Sequence, residues 1–176
     1  MQLHRGNLFL VGMPGSGKST LGRLLAKRLE KAFYDTDAEL EHRLGVPIPV
    51  IFELEGESGF RDREESVLAD HVVRVNTILA TGGGIILRSC NRERLKENGT
   101  VLYLHATPDT LWERTRRSKH RPLLHAADPY ARLQELYAFR DALYREIADI
   151  IVESDQEQVN RLAQRLEQQL RAAAQA

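Results

Sequence analysis

Residues 8–20 read LFLVGMPGSGKST. The apolar run Leu8–Val11 has the character of a buried strand, and it breaks at a glycine. Gly12-Met13-Pro14-Gly15-Ser16-Gly17-Lys18-Ser19 then satisfies the pattern G-x-x-x-x-G-K-[ST]. From Lys18 onward, Leu21, Leu24, Leu25 and Leu29 recur at helical spacing, so a helix follows. Strand, glycine-rich loop and helix are the context this pattern needs to bind phosphate. The glycines let successive backbone N–H groups point inward around an anion, and the helix N-terminus adds partial positive charge. Lys18 is placed to reach the β- and γ-phosphates, and Ser19 to ligate Mg²⁺ through its hydroxyl. Gly12, Gly15, Ser16, Gly17 and Thr20 complete the cradle. With glycine at about 7% of residues, a chance match in a chain of this size is on the order of one in a hundred or less. The plain alternative is a glycine-rich turn between a strand and a helix.

Outward from the loop, strand-like and helix-like segments alternate. Ala32–Tyr34 reads as a strand ending at Asp35, and residues 37–44 as a helix stopped by Gly45. Residues 46–60 are mixed, with prolines near the start and glycines near the end. Residues 61–73 read as a helix. Further strands are expected at 78–80, 101–104 and 150–152, and helices at 91–97, 108–117, 129–147 and 157–173. The Ala- and Gln-rich tail from about Gln168 is expected to fray. The βαβ alternation predicts an α/β fold with a mostly parallel sheet. The 176 residues suffice for one domain with a core, and no internal repeat divides them.

Hydrophobic residues make up 42% and charged residues 28%, an ordinary globular balance. The net charge of +0 provides no global field for nucleic acid or an anionic membrane. The 20 Arg against 5 Lys favour planar recognition of carboxylates or phosphates, or reflect genome composition. Cys90 is the only cysteine, which excludes an internal disulfide and fits a reducing cytoplasm. The early apolar run is too short for a signal peptide or membrane span. The six histidines are scattered and suggest no metal cluster.

Switch GTPases, motors and small-molecule kinases share the phosphate loop. The Asn-Lys-x-Asp and Asp-x-x-Gly strings of the GTPases are absent. The apolar strand at 101–104 ends in His105-Ala106, without the carboxylate a mechanical ATPase places there. The carboxylate for Mg²⁺ must come from elsewhere, and Asp35-Thr36-Asp37 follows the second strand at the sheet edge where ligands gather. Two carboxylates at i and i+2 leave an extended strand end on one side. Asp35 is a candidate to hold a Mg²⁺-bound water and Asp37 to face an acceptor hydroxyl; helix capping is the competing role.

The stretch TILATGGGI, residues 77–85, places Gly82, Gly83 and Gly84 after the third strand, at the same edge. Glycine there allows close backbone approach and suggests a flat or ring-shaped substrate packed on main chain. Arg61, in FRDREE, and Arg140, in FRDALYRE, are candidates to bind a substrate anion. Each taken alone also fits a solvated surface arginine. Glu64 is expected to orient Arg61 and to sit between the two arginines.

Taken together and in order, GMPGSGKST, DTD, FRDREE, TGGG, RPLL and FRDALYRE resemble the shikimate kinase family, from about residue 5 to residue 165. The resemblance implies five parallel strands in the order 2-3-1-4-5, flanked by helices in the manner of nucleoside monophosphate kinases. It implies ATP-dependent phosphorylation of the 3-hydroxyl of shikimate, with one Mg²⁺, in a cytoplasmic monomer that needs no nucleic acid and no membrane. Asp37 would contact the ring hydroxyls, Arg61 and Arg140 the carboxylate, and Gly82, Gly83 and Gly84 the ring, within a shikimate-binding region of about residues 37–65. Phe52 and Phe60 would wall that pocket. Ser19 would ligate Mg²⁺ directly and Asp35 through water. Residues 116–128 would form a lid bringing Arg121 onto the phosphates, and Arg114 would pack near the adenine. Lys18, Asp37 and Arg121 would be the catalytic group. Members often carry a basic residue in the loop after the last strand; here it reads Glu153-Ser154-Asp155-Gln156.

The segment Ser118-Lys119-His120-Arg121-Pro122 suits a lid on its own terms, being polar, basic and proline-punctuated between two helices. Closure would exclude water, which competes with a sugar-like acceptor. A gluconate kinase is the competing enzyme, although an open-chain acid needs no glycine platform. A nucleotide-dependent switch or adaptor is the competing class.

Overall fold

The computed structural model describes residues 6–117 and 127–175. Five strands, β1 (Leu8–Val11), β2 (Ala32–Asp35), β3 (Thr77–Ala80), β4 (Thr100–His105) and β5 (Ile150–Glu153), form one sheet. Their order is β2-β3-β1-β4-β5, and every pairing is parallel. Among the described residues seven α-helices connect and cover them: α1 (Lys18–Leu29), α2 (Thr36–Leu44), α3 (Ile48–Val72), α4 (Ser89–Asn98), α5 (Pro108–Thr115), α6 (Pro129–Ile147) and α7 (Val159–Gln175). The strand order and the parallel sheet are those expected.

Alternation along the central strands feeds two cores. Leu8 and Leu10 of β1 and Leu102 and Leu104 of β4 pack with Leu21 and Leu25 of α1 and Leu162 and Leu166 of α7. Phe9, Val11, Val101 and Tyr103 face the other way, against Leu68 of α3, Leu95 of α4 and Tyr144 of α6. A strand buried on both faces reads as a continuous apolar run, which is why β1 and β4 were legible. A third cluster, Leu40, Ile51, Phe60 and Val67, joins α2 to α3 beyond the sheet edge.

Two expectations need correction. Residues 46–60 are not mixed: α3 begins at Ile48, after Pro47 as its N-cap, and the chain bends at Gly56 (φ 70°, ψ −176°) before resuming as helix. The Pro and Gly that made the stretch read as mixed are the start and the kink of a helix pair. The tail does not fray at Gln168. Helix α7 runs to Gln175, Leu170 is buried, and Arg171 donates to the Arg28 carbonyl (2.9 Å) and to Glu167 (3.1 Å).

Candidate active site

The sheet topology changes direction beside β1, and the carboxyl ends of β1, β2, β3 and β4 meet there. Gly17, with φ 98°, is the N-cap of α1 and turns the loop into the helix. Lys18 Nζ donates to the carbonyls of Gly12 (2.8 Å) and Met13 (2.9 Å), so the ammonium lies over the loop. Ser19 Oγ donates to Asp35 Oδ2. A cavity of ≈540 Å³ opens above, lined by Gly15 to Thr20, Asp37, Thr81, Gly83, Arg114 and Ser154. That volume suits a nucleotide-sized ligand.

Asp35 serves two purposes with two oxygens. Oδ1 caps α2 by accepting from the backbone N–H of Asp37 (3.0 Å) and Ala38 (3.3 Å), while Oδ2 meets Ser19. Capping and site chemistry therefore coexist. The route by which Asp37 arrives differs from the expected one. The chain is already helical at Thr36, so the cap, and not strand alternation, turns Asp37 toward the cavity. Ser19 and Asp35 supply hard oxygen donors in contact with each other. Among the described residues no group of three or more His, Cys, Asp or Glu could hold a metal ion. Two protein oxygens beside a triphosphate cradle fit Mg²⁺, which keeps waters and takes its remaining ligands from substrate.

Arg114, exposed on α5, donates to the Gly15 carbonyl (3.3 Å) and the Ser154 carbonyl (3.0 Å). Asp155 accepts from the Thr107 N–H (3.2 Å) and the Thr110 hydroxyl (3.4 Å). The loop after β5 lacks a basic residue of its own, and Arg114 reaches it from the neighbouring helix.

Beyond Asp37 and Gly83 lies a charged cluster. Arg61 donates to Glu64 (2.7 Å) and to Glu57 (3.3 Å). Arg140 is only 2% exposed, and among the described residues it has no ion pair. Glu64 thus pairs directly with Arg61, and its charge also acts on Arg140. Burial pulls the Arg140 pKa below its ordinary value, and the charge of Arg61 adds to that; Tyr144 and Glu64 oppose it. Burial likewise raises Glu64, against the pull of Arg61. Asp37 is pushed up to about 7, chiefly by burial, then by the Glu64 and Asp35 charges, with Lys18 and Arg61 opposing. Asp37 Oδ1, Arg61 Nε, Glu64 Oε1 and Arg140 Nε are buried with no hydrogen-bond partner. So many unsatisfied polar atoms in one place mark a site more than a structural network. Phe52 and Phe60 stack beside it at 4.5 Å between ring centroids, and the Arg61 guanidinium lies over Phe60 at 5.1 Å.

The three glycines are crowded by the protein itself. A methyl at Gly82 would meet Glu64 Oε1 at 2.6 Å and Asp37 Oδ1 at 2.8 Å. At Gly83 it would meet Pro14 Cδ at 2.7 Å, and at Gly84 the Arg61 guanidinium at 2.1 Å. Gly83 lines the cavity, whereas Gly82, Gly84, Arg61 and Arg140 do not. Two residues went unnoticed in the sequence. Thr36 is fully buried and its hydroxyl accepts from the Gly82 N–H (2.9 Å). Tyr144 donates its hydroxyl to the Gly83 carbonyl (2.5 Å). Its spacing four residues after Arg140, on one helix face, was the available signal. Arg121 and most of the expected lid lie outside the described residues.

A family model for shikimate kinase matches residues 14–171. A shikimate kinase from Nitrosospira multiformis is 58% identical over 165 residues, 94% of this chain and 85% of that protein. The solved shikimate kinase from Acinetobacter baumannii, in complex with shikimate, is 45% identical with a TM-score of 0.91, covering 95% of this chain and 93% of that one. A gluconokinase from Sinorhizobium meliloti covers 97% of this chain and 98% of its own at 20% identity and a TM-score of 0.60, a likeness of fold alone. The match spans nearly the whole chain, and with the phosphate loop, the strand order and the arginine cluster it shows that this protein belongs to the shikimate kinase family, the kinases that phosphorylate shikimate with ATP.

Proposed function

We propose that this chain transfers the γ-phosphoryl group of ATP to the 3-hydroxyl of shikimate, with the residues of the cleft in the following roles. The observation that carries the reading is Arg140, a buried guanidinium left without an ion pair among the described residues while its neighbour Arg61 is neutralised by Glu64. One unpaired buried cation calls for one anion, and the shikimate carboxylate supplies it. A planar guanidinium offers that carboxylate two parallel N–H···O bonds. Gly82, Gly83 and Gly84 would bring main chain up to the ring, with Phe52 and Phe60 walling the pocket.

Asp37 stands between the charged cluster and the phosphate loop. Its pKa near 7 suits a group that accepts the hydroxyl proton as the oxygen attacks. Lys18, together with the N–H groups of the loop, would stabilise the charge on the transferring phosphoryl group. Ser19 would hold Mg²⁺ directly and Asp35 through a water, and the ion when bound neutralises phosphate charge and orients the triphosphate. Arg114 and the loop 153–156 would hold the adenine through main chain. Arg121 would close over the phosphates. Among the described residues no helix is long and apolar enough to cross a membrane. The lone Cys90 supports a reducing cytoplasm.

Isothermal calorimetry with shikimate tests the carboxylate assignment. Arg140→Ala and Arg61→Ala should each weaken binding by roughly ten- to a thousandfold, about 1.4–4 kcal/mol, with ATP affinity nearly unchanged. The shikimate analogue with its carboxylate reduced to an alcohol should bind the native protein poorly, and the variants should lose little further affinity for it. An alcohol that binds as well as shikimate, or variants within threefold of the native protein, would remove both arginines from this role.

A further inference from the structure

Tyr144 is buried in α6, with its ring stacked on Tyr103 of β4 at 4.9 Å between centroids and 28° between planes. Nothing in phosphoryl transfer requires a tyrosine here, and a phenylalanine would fill the same space. The hydroxyl, however, is used. It donates to the Gly83 carbonyl at 2.5 Å, across 61 residues of sequence. Arg140, one helical turn earlier on α6, lies beside the same oxygen. Gly83 in turn is pressed against Pro14 of the phosphate loop, where a methyl group would come within 2.7 Å of the proline ring. Tyr144, Gly83 and Pro14 are therefore in series, from the carboxylate arginine to the loop that holds ATP.

We infer that Tyr144 is a positioning residue for the acceptor: through one hydroxyl it fixes the Gly83–Gly84 peptide plane and the Arg140 guanidinium relative to each other. In a trans peptide the carbonyl of Gly83 and the N–H of Gly84 point in opposite directions. Tying the carbonyl to Tyr144 thus sets where the Gly84 N–H aims. Glycines carry the widest backbone freedom; Thr36 and Ile85 hold the N–H and the carbonyl of Gly82, and Tyr144 holds the Gly83–Gly84 peptide that follows. Arg140 has the complementary difficulty. It is a long buried side chain without an ion pair among the described residues, and the tyrosine oxygen gives it a fixed polar neighbour. Both elements would meet the same acceptor, so an error in their relative placement would act on acceptor recognition and alignment and leave nucleotide binding alone.

The inference rests on the assignment of Arg140 and Gly83 to shikimate, and Tyr144→Phe tests it separately from that assignment. The substitution removes one oxygen and keeps the stack on Tyr103. It should lower kcat/KM for shikimate by about tenfold or more, because the Gly83 carbonyl and Arg140 both lose a buried partner, while KM for ATP stays within twofold. Direct calorimetry should show the same loss of shikimate affinity. Tyr103→Phe is the control, since its hydroxyl serves Asp141 (2.8 Å) in the same stack and does not touch Gly83. A purely structural role predicts similar kinetics for the two variants at similar losses of thermal stability. Equal effects of Tyr103→Phe and Tyr144→Phe, parallel rises in both KM values, or a folded Tyr144→Phe variant within twofold of the native enzyme on shikimate would each overturn the inference. If native enzyme neither binds nor phosphorylates shikimate, the proposed function fails first, and the calorimetric baseline reveals that before any variant is compared.

Discussion

The phosphate loop draws its donors from the consecutive residues Gly12 to Ser19, whereas the charged cluster beyond Gly83 assembles Asp37, Arg61, Glu64 and Arg140 from α2, α3 and α6. The first region is mainly backbone and local turn geometry. The second is side-chain charge, buried and only partly compensated. A backbone cradle suits phosphate, which any nucleoside triphosphate presents. A buried cluster suits one particular acid, because its charges cost too much to bury unless a matching anion arrives. Generality on one side of Gly83 and selectivity on the other follow from these materials.

The comparison is broken most severely by changes on the phosphate side. Lys18→Ala should lower kcat by about a thousandfold while leaving the fold intact, since an oriented charge at the transferring phosphoryl group contributes about 4 kcal/mol. Steady-state kinetics at saturating ATP check it, and a variant retaining a tenth of native kcat would contradict the role. Asp37→Asn comes next, at about a hundredfold in kcat, the lower range for removing a proton acceptor. Its shikimate affinity should change far less than in Arg140→Ala. If affinity and turnover fell together, Asp37 would belong to binding alone.

Glycines sharpen the contrast, because two of them are needed for different reasons. Gly84 is needed for space: its missing Cβ would fall 2.1 Å from the Arg61 guanidinium, which is held by Glu64. Gly84→Ala should push Arg61 aside and raise the shikimate Kd about tenfold, with ATP binding unchanged, as calorimetry would show. Gly45 is needed for its backbone: it is the C-cap of α2 at φ 68°, with its N–H donating to Glu41 (2.8 Å) and open space around it. Gly45→Ala should cost about 1 kcal/mol of stability through left-handed strain, seen as a Tm lower by a few degrees, with kinetics intact.

The same division governed what the sequence made legible. The loop is contiguous, so a single string carried both its geometry and its chemistry. Strands β1, β3 and β4, buried on both faces, read as apolar runs, and the alternation with helices placed the half-exposed edge strands β2 and β5. Asp37, Arg61 and Arg140 were each candidates from separate short motifs, and only the resemblance joined them into one site, because no local rule brings them together. Local rules also misled at Pro47 and Gly56, where turn residues serve as a helix start and a kink. The pairing of Glu64 with Arg61 was legible, because their spacing of three residues puts them on one helix face. Thr36 and Tyr144 escaped notice because each acts on a backbone group far away in sequence.

The most direct test of the account couples ADP release to an acceptor: the purified protein with MgATP, offered shikimate, gluconate or no acceptor. The account predicts one ADP per shikimate consumed, with slow background release in the other two reactions, because water and an open-chain acid lack the geometry the arginine cluster selects. ADP release of equal rate with gluconate, or without any acceptor, would contradict it.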